Sequence, residues 1–197
     1  MASELLVVGL GNPGTDYAGT RHNVGADVVV LLAARHGGKL RPMKKERALA
    51  DEVTIGGTRV ALAFPTTFMN DSGFAVAALL RRHDIDDPAR LVVVHDELDL
   101  PQATVRVKAG GGLAGHNGLR SIVDHVKTND FLRVRIGIGK PPGGKEQGAD
   151  HVLRRPPKTV KQELAIAIEE AADAVELIVA EGVDRAMNRY NTPAPTV

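Results

Sequence analysis

Short runs of Val, Leu and Ile, separated by stretches long enough to hold a helix, are the feature that most restricts how this chain can fold. The runs lie at residues 5–10, 59–64, 91–94 and 132–138 and carry few polar interruptions, the pattern of strands buried on both faces. Residues 24–35, 72–82 and 119–126 place apolar side chains at helical spacing and are long enough to return the chain to the start of another strand. Strand and helix in alternation predict an α/β fold with helices flanking a sheet. Residues 49–55 and 104–109 alternate apolar and polar side chains more clearly, as strands with one wet face do, so a mixed, twisted sheet is expected. Pro141-Pro142-Gly143-Gly144 marks a loop. Beyond it, Val160, Leu164, Ile168, Ala171, Val175 and Ile178 recur at helical spacing within residues 159–181, predicting one long amphipathic C-terminal helix. No internal repeat or linker divides the sequence, so a single domain over residues 1–197 is expected.

Composition narrows the function classes. The charge is almost balanced at +1, so any nucleic-acid surface must be a local patch rather than a global field. Aromatic residues make up only 3% of the chain, which argues against a stacking platform for single-stranded bases. The absence of cysteine excludes disulfides, thiolate metal sites and cysteine nucleophiles. Met1-Ala2-Ser3-Glu4 has no basic region and is followed by only a short apolar run, unlike a secretory signal. No stretch approaches the roughly 20 apolar residues needed to span a bilayer. A cytoplasmic location without membrane contact is expected.

Gly9-Leu10-Gly11-Asn12-Pro13-Gly14 follows a strand and fits G-x-G-x-x-G, so dinucleotide binding has to be weighed. A dinucleotide loop opens directly into a helix, and an acidic residue follows about 20 residues later to hold the ribose. Here the helical pattern starts only at Val24, and Ala33, Ala34, Arg35 and His36 occupy the region where that acid should stand. The motif is therefore not read as a nucleotide site.

Ligands of open α/β sheets bind beyond the carboxyl ends of strands. That rule selects Asn12 and His22 after the first run, Met69 and Asn70 after the second, His95 and Asp96 after the third, and the glycine-rich loop of residues 110–118. Each has a bland reading. Asn70 and Asn117 precede helical patterns and are placed as N-caps, and His95 suits packing or a structural hydrogen bond. Asp96, Glu97 and Asp99 fit a solvated turn, or hard-metal ligands together with His95. A metal is disfavoured because neighbouring strand residues point in opposite directions and no spaced ligand set is present. Ser72 lacks the G-x-S-x-G setting of a nucleophilic serine.

Taken together, three blocks resemble the bacterial peptidyl-tRNA hydrolases: GLGNPGTDYAGTRHNVG at residues 9–25, TFMNDSG at 67–73, and HDELDLP at 95–101 continuing to GGGLAGHNGLRS at 110–121. Residues 130–141 and 186–191 add weaker support. The resemblance implies a single-domain α/β fold and an esterase that releases tRNA from peptidyl-tRNA without a metal or other cofactor. By position it implies His22 as catalytic histidine with Asp96 as its partner, and Asn12, Tyr17, Met69, Asn70 and Asn117 as substrate-binding residues. Lys108 and Arg135 match positions that clamp the 5′-phosphate of tRNA. Ala103 and Ala114 depart from the pattern by replacing glycines, which puts the flexibility of their loops in question.

In that reading His22, whose ordinary pKa near 6.5 leaves it largely neutral at cytoplasmic pH, takes a proton from water while Asp96 fixes its tautomer. The asparagines donate to the developing oxyanion or to substrate carbonyls. A monomer is expected. Two other classes stay open: a non-catalytic RNA-binding module using Arg106, Lys108, Arg133 and Arg135, and a small-molecule ester or amide hydrolase using only His22 and Asp96.

Overall fold

A computed structural model describes residues 2–192, except for the side chain of Lys145. Residues 1 and 193–197 of the expected domain lie outside the described residues. Seven strands form one mixed sheet: β1 Leu5–Gly9, β2 Arg41–Met43, β3 Ala48–Ile55, β4 Thr58–Pro65, β5 Leu91–Glu97, β6 Val105–Ala109 and β7 Leu132–Gly137. Their order across the sheet is β2-β3-β4-β1-β5-β7-β6. The central strands β4, β1, β5 and β7 run parallel, with antiparallel partners at both edges. Helices α1 Val24–Arg35, α5 Lys158–Glu181 and α6 Val183–Tyr190 cover one face, and α2 Ser72–Arg82 and α3 Asn117–Val126 the other. The short α4, Gly148–Leu153, lies near the carboxyl end of the sheet. No helix among the described residues is long and apolar enough to cross a membrane.

This arrangement fixes the position of the site. From β1 the chain crosses by α1 to the β2–β4 side, then returns by α2 to β5 on the other side of β1. The two crossovers leave in opposite directions, so a crevice opens at the carboxyl ends of β1 and its neighbours. Helices α1 and α2 have the predicted bounds. Strand β5 differs, because it continues to Glu97 instead of ending at Val94, so His95 and Asp96 belong to a fully buried strand rather than to a loop. Strand β2, α4 and α6 were not foreseen. The first two are very short, and α6 buries only Ala186 completely, which leaves little periodic signal.

The glycine motif is explained by packing. A Cβ on Gly9 would lie 2.1 Å from the Gly25 carbonyl oxygen, and one on Gly25 would lie 2.2 Å from that of Val94. Only hydrogen side chains let the start of α1 rest directly on β1 and β5, where Ala26 N–H donates to Leu10 O at 3.1 Å and Leu10 N–H to Val94 O at 3.0 Å. At the far edge of β6, the Asn191 side-chain amide imitates a further strand: Val107 N–H donates to its Oδ1 at 2.9 Å and its Nδ2 donates to Val107 O at 2.7 Å.

Ala103 and Ala114 stand at φ of 62° and 50°, the region that favours glycine. Their loops therefore keep the backbone path that glycine would take, with fewer alternative conformations open to them. The tighter constraint lies at the crossing of α1 and the sheet. Gly25→Ala is expected to lower stability by about 1–3 kcal/mol through overpacking, seen as a reduced urea midpoint with an unchanged slope.

Candidate active site

Residues Arg21–Asn23 form a single 3-10 turn that delivers His22 to the crevice immediately before α1 begins. The His22 imidazole faces Asp96, with Nδ1 at 2.9 and 2.8 Å from the two carboxylate oxygens. A carboxylate only accepts, so Nδ1 carries the proton and Nε2 of a neutral His22 is left as the basic atom. Asp96 is 2% exposed and also accepts from Nε2 of His116 at 2.9 Å. His116 in turn caps α3: its Nδ1 accepts from Gly118 N–H at 3.1 Å and from Leu119 N–H at 3.4 Å. These donors leave only one consistent tautomer for His116, with its proton on Nε2. His95 Nδ1 donates to the Asp96 backbone carbonyl at 2.8 Å, so both ends of the aspartate are held.

The electrostatics follow from burial opposed by these contacts. Burial by itself would raise the Asp96 pKa, but His22 and His116 outweigh it and hold the carboxyl well below the usual range. Burial likewise disfavours the charged form of His22, yet the Asp96 charge and hydrogen bond overcome it and raise its pKa. The ordinary value of 6.5 assumed for His22 is thereby corrected upward, and a larger share of it is protonated near neutrality. His95 is pushed down to about 3 by burial and by neighbouring His116, which outweigh Asp96, and stays neutral.

His22, Asp96 and His116 offer ligand atoms within 4.8 Å of one another, which is the size of a metal site. The donor chemistry does not fit one. A cation would need the lone pair of His116 Nε2, whereas the Gly118 amide fixes a proton there, and Asp96 already accepts two imidazole N–H groups.

Two cavities meet at His22. One of about 210 Å³ is lined by Asp96, Glu97, Gly115, His116 and Asn117. The other, of about 340 Å³, is lined by Asn12, Tyr17, Phe68, Met69, Asn70 and Leu153. His22, Asn117, Ala149 and Val152 border both, so α4 forms a common wall. Buried Arg21 holds that wall, donating to the carbonyls of His151 and Arg154 at 3.4 and 3.5 Å. Arg155 ties the following segment to the first loop through the carbonyls of Thr15 and Ala18.

All seven residues expected around the cleft, His22, Asp96, Asn12, Tyr17, Met69, Asn70 and Asn117, line these cavities. Asn12 Oδ1 accepts from Met69 N–H at 2.7 Å, which turns the amide NH2 away from that contact. Asn23 was missed by the sequence reading; it clamps the Asn12 backbone, accepting from its N–H and donating to its carbonyl, both at 2.9 Å. The N-cap reading of the other two asparagines is overturned. Met69–Asp71 form a 3-10 turn ahead of α2, and His116 caps α3 in place of Asn117. Both asparagine side chains are exposed. Phe68 was also missed; it meets the Tyr17 ring edge-on with centroids 6.2 Å apart.

Lys108 and Arg135 lie apart from this cleft on β6 and β7, where Lys108 opposes Arg133 and Arg106 opposes Arg135. Arg133 is 1% exposed and donates to the carbonyls of Gly111, Gly112 and Asn129. Arg106 donates to those of Val105 and Tyr190. Two of the four cations expected of an RNA patch are thus spent on the fold. The one ion-pair partner of Arg135 among the described residues is Glu97, at 3.8 Å, and Lys108 has its pKa lowered by burial and by the neighbouring Arg135 and Arg133. An anion bound between Lys108 and Arg135 would relieve that repulsion.

Residues 6–196 match the family model described as peptidyl-tRNA hydrolase. The chain is 52% identical over 186 residues to the peptidyl-tRNA hydrolase of Frankia alni, covering 94% of this chain and 93% of that protein. Against that of Arthrobacter sp. (strain FB24) the identity is 48% over 193 residues, covering 98% of each. Its fold superposes on the crystal structure of peptidyl-tRNA hydrolase from Acinetobacter baumannii with a TM-score of 0.90 and 41% identity, covering 100% of this chain and 99% of that one.

Asp96→Asn replaces a double acceptor by one acceptor and one donor, so the two imidazole N–H groups can no longer both be satisfied. With the negative charge gone, burial dominates and the His22 pKa should fall from above 6.5 to below it. Titration of the His22 ring protons by NMR checks the direction; an unchanged His22 titration would contradict the coupling.

Proposed function

Since the chain belongs to the peptidyl-tRNA hydrolase family, we propose that His22 and Asp96 are its catalytic pair for splitting the ester between a peptide and the terminal ribose of tRNA. The observation that carries this is the His22 orientation: Nδ1–H is held by Asp96, so Nε2 is the free base at the junction of the two cavities. A water placed there gives its proton to Nε2 as its oxygen adds to the ester carbonyl. Asp96 stabilises the imidazolium that forms. Collapse of the tetrahedral intermediate breaks the bond to the ribose oxygen, which takes the proton back from His22, and the peptide leaves with a free carboxyl.

Asparagine suits the remaining roles because it donates without adding charge. The Asn12 amide is oriented by Met69 N–H and its backbone is fixed by Asn23, as electrostatic stabilisation of an oxyanion requires, while exposed Asn70 and Asn117 are available to substrate carbonyls. The aromatic and apolar walls of the larger cavity, Tyr17, Phe68, Met69 and Leu153, fit a peptide side chain. Lys108 and Arg135 suit the 5′-phosphate. The whole chain is taken to act as one domain and as a monomer in the cytoplasm, where translation releases peptidyl-tRNA. A module that only binds RNA is less well supported, because Arg133 and Arg106 are engaged by backbone carbonyls.

His22→Ala should lower kcat for an N-blocked aminoacyl-tRNA by about 10²- to 10⁴-fold while changing tRNA affinity little; near-native turnover would remove His22 from the mechanism. For the phosphate contact, Lys108→Ala and Arg135→Ala should each raise KM for 5′-phosphorylated tRNA and reduce the salt slope of log affinity by roughly one. Equal impairment on dephosphorylated tRNA would point to a structural role instead.

A further inference from the structure

A second concave surface lies along α2 and has no part in the chemistry described above. It is a cavity of about 410 Å³ lined by Lys45, Glu46, Phe74, Ala78, Arg81 and Arg82. Phe74 is 41% exposed and follows the cleft residue Asn70 by four positions, and Arg81 and Arg82 close the other end of α2, which rises about 15 Å from Ser72 to Arg82. The opposite bank is the turn between β2 and β3. Its Arg47 carbonyl accepts from Thr66 N–H at 2.8 Å, which anchors the turn beside the strand end leading to Phe68 and Asn70. The Arg47 guanidinium lies 4.3 Å from the centroid of the Phe74 ring.

The charge here is one-sided. Lys44, Lys45, Arg47 and Arg81 are exposed, and none makes an ion pair among the described residues. The one acid, Glu46, is 5% exposed and held by Arg82 at 3.3 Å. In a chain whose total charge is +1, this is a concentrated cationic groove that asks for an anionic occupant.

We propose that this groove is a subsite for acidic side chains in the peptide limb of the substrate. The proposal rests on the peptidyl-tRNA reading of the site. The larger cavity at His22 is bordered by Phe68 and Asn70, Phe74 follows Asn70 by about one helical turn, and Arg47 is tied to Thr66 two residues before Phe68, so a peptide running out past Phe68 and Asn70 meets Arg47 and Phe74 next. Extended chain advances about 3.3–3.6 Å per residue, which brings side chains about three to six residues from the ester into the groove. Carboxylates fit better than a stacked RNA base. One face of Phe74 is already covered by Arg47 and its edge meets His125 at 6.4 Å, which leaves no free sandwich for a base. The guanidinium edge of Arg47 nevertheless remains available to a carboxylate.

The test compares kcat/KM for three substrates: tRNA carrying an N-acetylated single residue, an N-acetylated six-residue peptide with glutamates at its amino-terminal end, and the same peptide with lysines there. The single-residue substrate reports ester hydrolysis alone, so failure of the parent reading shows as no cleavage of it by the unaltered protein. The unaltered protein should prefer the glutamate peptide over the lysine peptide by about tenfold at low salt, since exposed charge contacts are each modest, and the preference should fade as salt rises. Lys45→Gln with Arg81→Gln should reduce the ratio to about one or two, and circular dichroism would verify that the variant is folded. Equal rates on both peptides with the unaltered protein would overturn the proposal. So would a loss in the variant shared by all three substrates, the single-residue one included, because that pattern marks a contact with tRNA.

Discussion

A carboxylate removed almost completely from water is stable only if its charge is met by donors, and Asp96 is the point on which this site depends. It receives the Nδ1 proton of His22 and the Nε2 proton of His116, while its backbone carbonyl receives that of His95. Each contact also orients its partner. His22 is left with its free nitrogen toward the cleft, and His116 is locked into the tautomer that caps α3. The same carboxylate therefore couples the turn before α1, the last buried residues of β5 and the start of α3. Loss of one donor would leave a buried charge under-compensated, which ties the geometry of the cleft to the integrity of the strand end.

The neighbouring architecture holds the groups that meet this charge. Gly9 and Gly25 bring α1 against the sheet closely enough for His22 to contact Asp96. Asn23, one residue later, spends its amide on the Asn12 backbone and so carries the alignment of the turn over to the first loop. Arg21, on the other side of His22, holds α4 over the cleft. Three consecutive residues thus position an imidazole, an amide and a wall, and each succeeds because its neighbours in the crevice come from elements far away in sequence.

Much of the fold was legible because it rests on periodicity. The short Val- and Leu-rich runs matched the pattern of buried strands, and α1 and α2 were delimited correctly by their apolar spacing. Short elements were missed for the same reason: β2 and α4 contain too few residues to show a period, and α6 packs a mostly polar sequence through a few contacts. His116 was passed over inside a glycine-rich loop because its role comes from Asp96, distant in sequence, and from a helix start that had been assigned to Asn117. Alternation correctly put Arg133 and Arg135 on one side of β7. It could not reveal that Arg133 is sealed beneath the glycine loop by three carbonyls, whereas Arg135 stands partly exposed beside Glu97.

The sequence by itself determined the layered α/β class, the strand ends at which polar groups gather and, through three long motif blocks, the family. These are properties of local order, in which spacing along the chain dictates which side chains are buried together. Only the tertiary structure decided that His116 shares Asp96 with His22, that the glycine motif serves helix packing, and that a cationic groove lies along α2. Those outcomes depend on which strand ends meet across the sheet and on which donors satisfy each buried acceptor. Hydrogen-bond direction and charge burial are set by neighbours in space, and spacing along one chain does not contain them.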